Sequence, residues 1–171
     1  ITKDYTLTGD IYEGIVIDGD NITLDGNGYN IYGLGSGYGV YSDAHSNITI
    51  KNCKIKNFTY STIIYNGTSI TITNNTYLDA VSGIYLTNCS NVAISNNTDE
   101  RITVTYCRNI VIDNHRMLTW DAYGVDFMSV WDSVIKNSTF NYVTFIGIRL
   151  RGFPGATYNN LISNNTVKSM Y

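Results

Sequence analysis

Asp126 and Arg149 stand 23 residues apart, at the third positions of Gly124-Val-Asp-Phe127 and Gly147-Ile-Arg-Leu150. An acid and a guanidinium at matching positions of repeated segments can form a cross-strand charge contact. They can equally bind a sugar or act on it as an acid and base pair. Tyr41 in Gly39-Val-Tyr-Ser42 and Tyr85 in Gly83-Ile-Tyr-Leu86 occupy the same position. Flat aromatic faces beside Asn and Asp groups suit sugar rings, suit a protein interface, and also follow from the β-propensity of Tyr. Tyr60, Tyr65, Trp120, Tyr123 and Trp131 are expected in neighbouring strands or turns.

Other chemistry is sparse. A glycosidase needs two carboxylates flanking a scissile bond, and the candidate outward acids are Asp113, Asp121, Asp126 and Asp132. The stretch Asp18 to Asp25 clusters carboxylates and amides, but the twelfth position from Asp18 is Tyr29 and not the Glu of a calcium loop, so a plain solenoid corner is expected. His45 and His115 have no Cys or His partner at ligand spacing, so neither a metal nor a cofactor is expected. Cys89 and Cys107 each lie two residues before a repeat start, 18 residues apart, which puts them one coil apart in one column. A disulfide is within reach there, with a stacked pair of buried thiols the commoner outcome; Cys53, in another column, should be free.

These residues are carried by a repeat. The units read Asn47-Ile-Thr-Ile-Lys-Asn52, Ser69-Ile-Thr-Ile-Thr-Asn74, Asn91-Val-Ala-Ile-Ser-Asn96, Asn109-Ile-Val-Ile-Asp-Asn114, Asp132-Ser-Val-Ile-Lys-Asn137 and Asn159-Asn-Leu-Ile-Ser-Asn164, with an early variant Asn21-Ile-Thr-Leu-Asp-Gly26. Apolar and polar residues alternate within each unit, the period of a half-buried strand. Ile50, Ile72, Ile94, Ile112, Ile135 and Ile162 therefore form one inward column. By the same alternation Asn52, Asn74, Asn96, Asn114, Asn137 and Asn164 are expected to point inward at a corner. A second strand begins at Gly39, Gly83, Gly124 and Gly147, and a third inward column runs through Ile55, Tyr77, Met117, Phe140 and Val167. With no room for a helix, each unit is one coil, and coils become stable only as they stack.

The Gly-Ile-X-Leu and Asn-X-X-Ile-X-Asn-Asn patterns, with the opening Gly14 to Gly28, resemble the right-handed parallel β-helix repeats of the NosD-like, carbohydrate-binding and sugar-hydrolase group. The resemblance runs from Gly14 to Val167. It implies an all-β, single-stranded right-handed parallel β-helix, a β-solenoid of about six to seven coils, in a group that includes polysaccharide lyases, hydrolases, epimerases and surface proteins. Related polygalacturonases carry Asn-Thr-Asp, Asp-Asp and His-Gly signatures. That set is not present, since the chain has no Asp-Asp and no His-Gly, and no enzyme is expected.

Composition bounds the rest. The chain of 171 residues is the size of one domain, spanning 1–171, with 1–13 expected as a partial cap strand and 14–167 as repeat coils. A net charge of -3 with only 15% charged residues supplies no basic footprint for nucleic acid. No apolar run reaches the ~18 residues of a membrane span, and the N-terminus lacks the regions of a signal peptide, so a mature or excised chain is expected. Asn57, Asn66 and Asn88 head the Asn-X-Ser/Thr triplets that would be glycosylated in a secreted protein.

After Val167 the chain reaches Tyr171 without space for another strand. Either the native protein continues, or another molecule covers the open coil, as in head-to-tail self-association. The expectation is an extracellular or cell-surface structural module, self-assembling into a filament or surface layer through its coil ends. The alternative is a carbohydrate-binding module that contacts a surface polysaccharide through Tyr41, Tyr85, Asp126 and Arg149.

Overall fold

In the computed structural model, which describes residues 1–118, 121–152 and 157–169, three strands recur in each coil and every pairing between coils is parallel. Among the described residues the fold is all-β with no helix, a solenoid of about six turns. The first face is an eight-stranded sheet holding the Asn-X-X-Ile units, from Tyr5–Thr6 through Ser46–Lys51, Thr68–Thr73 and Ser90–Ser95 to Leu161–Ser163. The second face stacks Ile15–Ile17, Tyr38–Asp43, Tyr60–Tyr65, Ser82–Thr87, Ile102–Thr105 and Asp121–Met128. The third stacks short strands such as Lys54–Lys56 and Thr76–Leu78, and Thr139–Arg151 runs through both the second and third faces, joining them in one sheet.

The inward Ile column is present in register, Leu24, Ile50, Ile72, Ile94, Ile112 and Ile135 lying side by side across the first face. All six are 1% exposed or less. Aliphatic side chains stacked ~4.8 Å apart pack on one another along the interior. Ile55, Tyr77, Met117 and Phe140 fill the third column in the same way. Ile162 and Val167 hold the matching positions of the last coil and are 43% and 50% exposed.

The Asn column corrects the expectation made from alternation. Asn52, Asn74, Asn96, Asn114, Asn137 and Asn164 have φ between 50° and 56°, the left-handed region that Asn tolerates better than most residues. One left-handed residue turns the chain through a corner and breaks the alternation. These Asn side chains therefore point to the outside, where Asn114 Nδ2 donates to Asn96 Oδ1 (2.7 Å) and Asn52 Nδ2 to Asp25 Oδ1 (2.9 Å).

The residue after the corner goes inward instead. Cys53, Asn75, Asn97, His115 and Ser138 are buried at this position, and the amides of Asn75 and Asn97 are matched to backbone groups. Asn75 Nδ2 donates to Ile50 O (3.0 Å) and Asn97 Nδ2 to Ile72 O (2.9 Å), while Cys53 N–H donates to Asn75 Oδ1 and Asn75 N–H to Asn97 Oδ1. A second left-handed corner, at Asn66, Asn88, Tyr106 and Ser129, places Gly67, Cys89, Cys107 and Val130 after it.

At the N-terminus, Tyr5–Thr6 pairs in parallel with Thr23–Asp25, Leu7 is fully buried, and Asp4 Oδ1 accepts Thr23 N–H. Tyr5–Thr6 thus adds a strand to the edge of the first sheet.

Candidate functional site

The outer surface of the second face carries the residues singled out by chemistry. Its register places Val16, Tyr41, Ile63, Tyr85, Thr103, Asp126 and Arg149 in one row. Parallel strands ~4.8 Å apart spread this row over ~29 Å, so one face offers both kinds of candidate group.

Its first half is aromatic. Tyr41 and Tyr85 flank Ile63, and Tyr38, Tyr60 and Tyr65 from the adjacent outward rows complete a cluster. Ring centroids are 5.6 Å apart for Tyr38–Tyr41, 6.1 Å for Tyr38–Tyr60, 6.2 Å for Tyr41–Tyr65, 5.3 Å for Tyr60–Tyr85 and 6.3 Å for Tyr65–Tyr85. Their contacts leave Ile63 only 1% exposed on the outside of the sheet, while Tyr38 remains 45% exposed. Mutually packed rings lose little freedom when something lies on them. Burial pushes the Tyr65 phenol up, and burial together with the Asp43 carboxylate does the same for Tyr41, so both remain neutral hydroxyls near pH 7. A groove of about 330 Å³ lined by Gly14, Ile15, Val16, Tyr38 and Tyr41 lies at this end.

Its second half is charged. Asp126 and Arg149 pair directly across adjacent strands, with Arg149 Nε donating to Oδ1 (2.9 Å) and Nη2 to Oδ2 (2.5 Å). Arg151, two residues further on the same side of its strand, makes a second fork to the same carboxylate at 3.1 and 2.9 Å. Arg149 Cζ also lies 3.6 Å from the Tyr123 ring centroid, a cation–π contact. Burial alone would raise Asp126, but the hydrogen bonds from Arg149 and Arg151 outweigh it and hold the carboxyl below its usual range. A second groove, about 280 Å³, is lined by Tyr106, Met128, Ser129, Arg151 and Gly152.

Arg151 and Tyr38 were not among the sequence candidates. Arg151 follows Arg149 by two residues, the spacing at which strand residues share a side, so its signal was present. Tyr38 lies three residues before Tyr41 and still stacks on it, with Gly39 and Val40 both buried between them, a break in alternation that the spacing does not announce. Trp131 lies away from this face, stacked on Tyr158 with centroids 6.3 Å apart, and Trp120 and Tyr171 lie outside the described residues. Asn57, Asn66 and Asn88 are exposed. Their Nδ2 atoms, which an attached glycan would take, donate to Gly33 O, Asp43 Oδ1 and Asn66 Oδ1 of neighbouring coils. One part of the polygalacturonase signature does occur, Asn97-Thr98-Asp99, but Asn97 is the buried corner residue already described.

Cys89, Cys107 and Cys53 are all free and buried. Cys89 N–H donates to Cys107 Sγ at 3.1 Å, so the two are a stacked thiol pair. The hydrogen bond to Cys89 and burial push Cys107 upward, and burial pushes Cys53 up to about 12. Burial likewise pushes His115 down to about 3.

Residues 13–171 match the NosD family, described as "Periplasmic copper-binding protein (NosD)". No curated protein sequence matches the chain. Among solved structures, an alginate lyase from Paenibacillus sp. str. FPU-7 superposes with a TM-score of 0.76 at 16% identity, over 96% of this chain and 68% of that one. A putative glycosyl hydrolase from Parabacteroides merdae ATCC 43184 superposes at 0.47 and 14% identity, over 98% and 80%. Such likeness concerns the fold. The copper of the family's description finds no matching donor set: among the described residues no three His, Cys, Asp or Glu side chains converge. The enclosed Cys89–Cys107 pair offers two thiols, where copper takes thiolates.

Proposed function

The chain belongs to the NosD family, and on that footing we propose that it is a glycan-binding β-helix module acting outside the cytoplasm, with the outer surface of its second face as the binding surface. The observation that carries this reading is the five-tyrosine cluster continuing along one row into Asp126 and Arg149. Packed rings supply a flat apolar platform for sugar faces, and the polar groups beyond it supply hydrogen bonds that fix orientation. The periplasmic description of the family supports a location outside the cytoplasm, and a polysaccharide of the cell envelope or surface is the partner that location offers.

Binding without cleavage is the favoured mode. A general acid or base needs a carboxyl poised to exchange a proton near the working pH, whereas Asp126 is saturated by two guanidinium forks and held ionised. Affinity electrophoresis of the whole chain in gels containing dextran, laminarin or polygalacturonate tests the reading. Retardation by at least one polymer is expected, with Tyr41→Ala/Tyr85→Ala about tenfold weaker and a thermal melt checking that the variant folds. A chain retarded by none of them overturns the proposal, and shortening of a polymer on incubation overturns the non-cleaving mode.

A second reading is head-to-tail self-association. Leu161, Ile162 and Val167 of the last coil are 58%, 43% and 50% exposed, and strand addition by a second copy would cover them. Light scattering that grows with concentration supports it; a monodisperse monomer at high concentration contradicts it.

A further inference from the structure

We infer that the Arg149–Arg151 pair makes this surface selective for acidic polysaccharides, with Arg151 as the residue that takes the carboxylate of a uronic acid unit. The inference rests on the glycan-binding reading above and names its substrate class. Two guanidinium groups share one carboxylate, so the cluster keeps one net positive charge on the outside of the sheet. Each Arg spends Nε and one hydrogen of Nη2 on Asp126. Nη1 of each lies outside the two forks on Asp126.

The two arginines are not equivalent. Arg149 is clamped between Asp126 and the Tyr123 ring, and its side chain is 23% exposed, against 47% for Arg151. Arg151 also forms a wall of the groove with Tyr106 and Met128. A sugar ring seated on Tyr106 and Met128 brings a ring carboxylate to the outer edge of Arg151. The Asp126 fork fixes the guanidinium plane beforehand, so little side-chain freedom remains to be lost on binding.

The test compares polygalacturonate with dextran on the wild-type chain, Arg151→Gln and Arg151→Lys, by affinity electrophoresis at about 0.05 and about 0.5 M NaCl. The wild type is expected to bind polygalacturonate about tenfold more tightly than dextran, with most of the difference gone at the higher salt. Arg151→Gln should bring the polygalacturonate affinity down to that for dextran, and Arg151→Lys, which retains the charge but not the fork, should fall between. Equal binding of both polymers by the wild type, a preference untouched by salt, or a preference that survives Arg151→Gln each overturns the inference while leaving glycan binding in place. Binding of neither polymer also overturns the inference, and it overturns the glycan-binding reading itself when laminarin is not bound either. Arg151 is half exposed, and a thermal melt confirms that the variants fold.

Discussion

Asp126 and Arg149 face each other across adjacent strands, joined by two parallel hydrogen bonds of 2.9 and 2.5 Å, with Arg151 completing a second fork on the same carboxylate. The side chain of Asp126 is only 6% exposed, so this pair lies between a surface ion pair and a buried one. Because the folded pKa is lowered from about 3.9, the stabilisation is fully present above pH ~4. It is lost as the pH falls through the folded value. Asp126→Asn leaves two guanidiniums without their counter-charge and should cost about 1–3 kcal/mol at pH 7. Thermal melts at pH 7 and pH 3 check this: the gap between wild type and variant should narrow at the lower pH.

His115 makes the opposite kind of statement about the interior. It is buried, with a pKa pushed down to about 3 by burial, so below pH 6.5 the unfolded chain binds a proton that the folded chain refuses. Stability from this residue is complete above pH 6.5 and declines as the pH falls towards 3. His115 occupies the position held by Asn75 and Asn97 in earlier coils. His115→Asn should therefore fold, and its melting temperature should fall less than that of the wild type between pH 6.5 and 4.

The corner residues separate into two classes that substitution can tell apart. Asn96 is exposed with φ of 54°, so Asn96→Gly, which accepts that backbone, should change stability by less than ~1 kcal/mol. Asn97, its neighbour, is 1% exposed and bridges Ile72 O and Asn75 N–H. Asn97→Ala strands both groups in the core and should cost about 2–4 kcal/mol by chemical denaturation.

The three cysteines give a simple titration. All are buried as thiols, so a thiol reagent should react with none in the native chain and with three after unfolding in guanidinium.

These corners also show what was legible in the sequence. Alternation over Asn47 to Lys51 fixes the inward Ile column correctly, because side chains in an extended strand follow a period of two. It fails one residue later, since nothing in the apolar pattern announces that Asn52 is left-handed. The doubled Asn of Asn74-Asn75 and Asn96-Asn97 was the available signal: the first turns the chain and the second satisfies buried backbone groups. The Asp126–Arg149 pairing was legible because register follows from repeat length. Arg151 and the packing of five tyrosines were less so, since both depend on contacts between three outward rows rather than on one aligned column.

The central claim is that glycans lie on the tyrosine row. The most direct measurement is a polysaccharide titration of chain labelled with ¹³C at tyrosine rings, followed by nuclear magnetic resonance. Saturable shifts are expected for Tyr38, Tyr41, Tyr60, Tyr65 and Tyr85, with Tyr12 and Tyr158, which lie off this cluster, unmoved. Saturable binding that shifts Tyr12 or Tyr158 and leaves those five unchanged would contradict it.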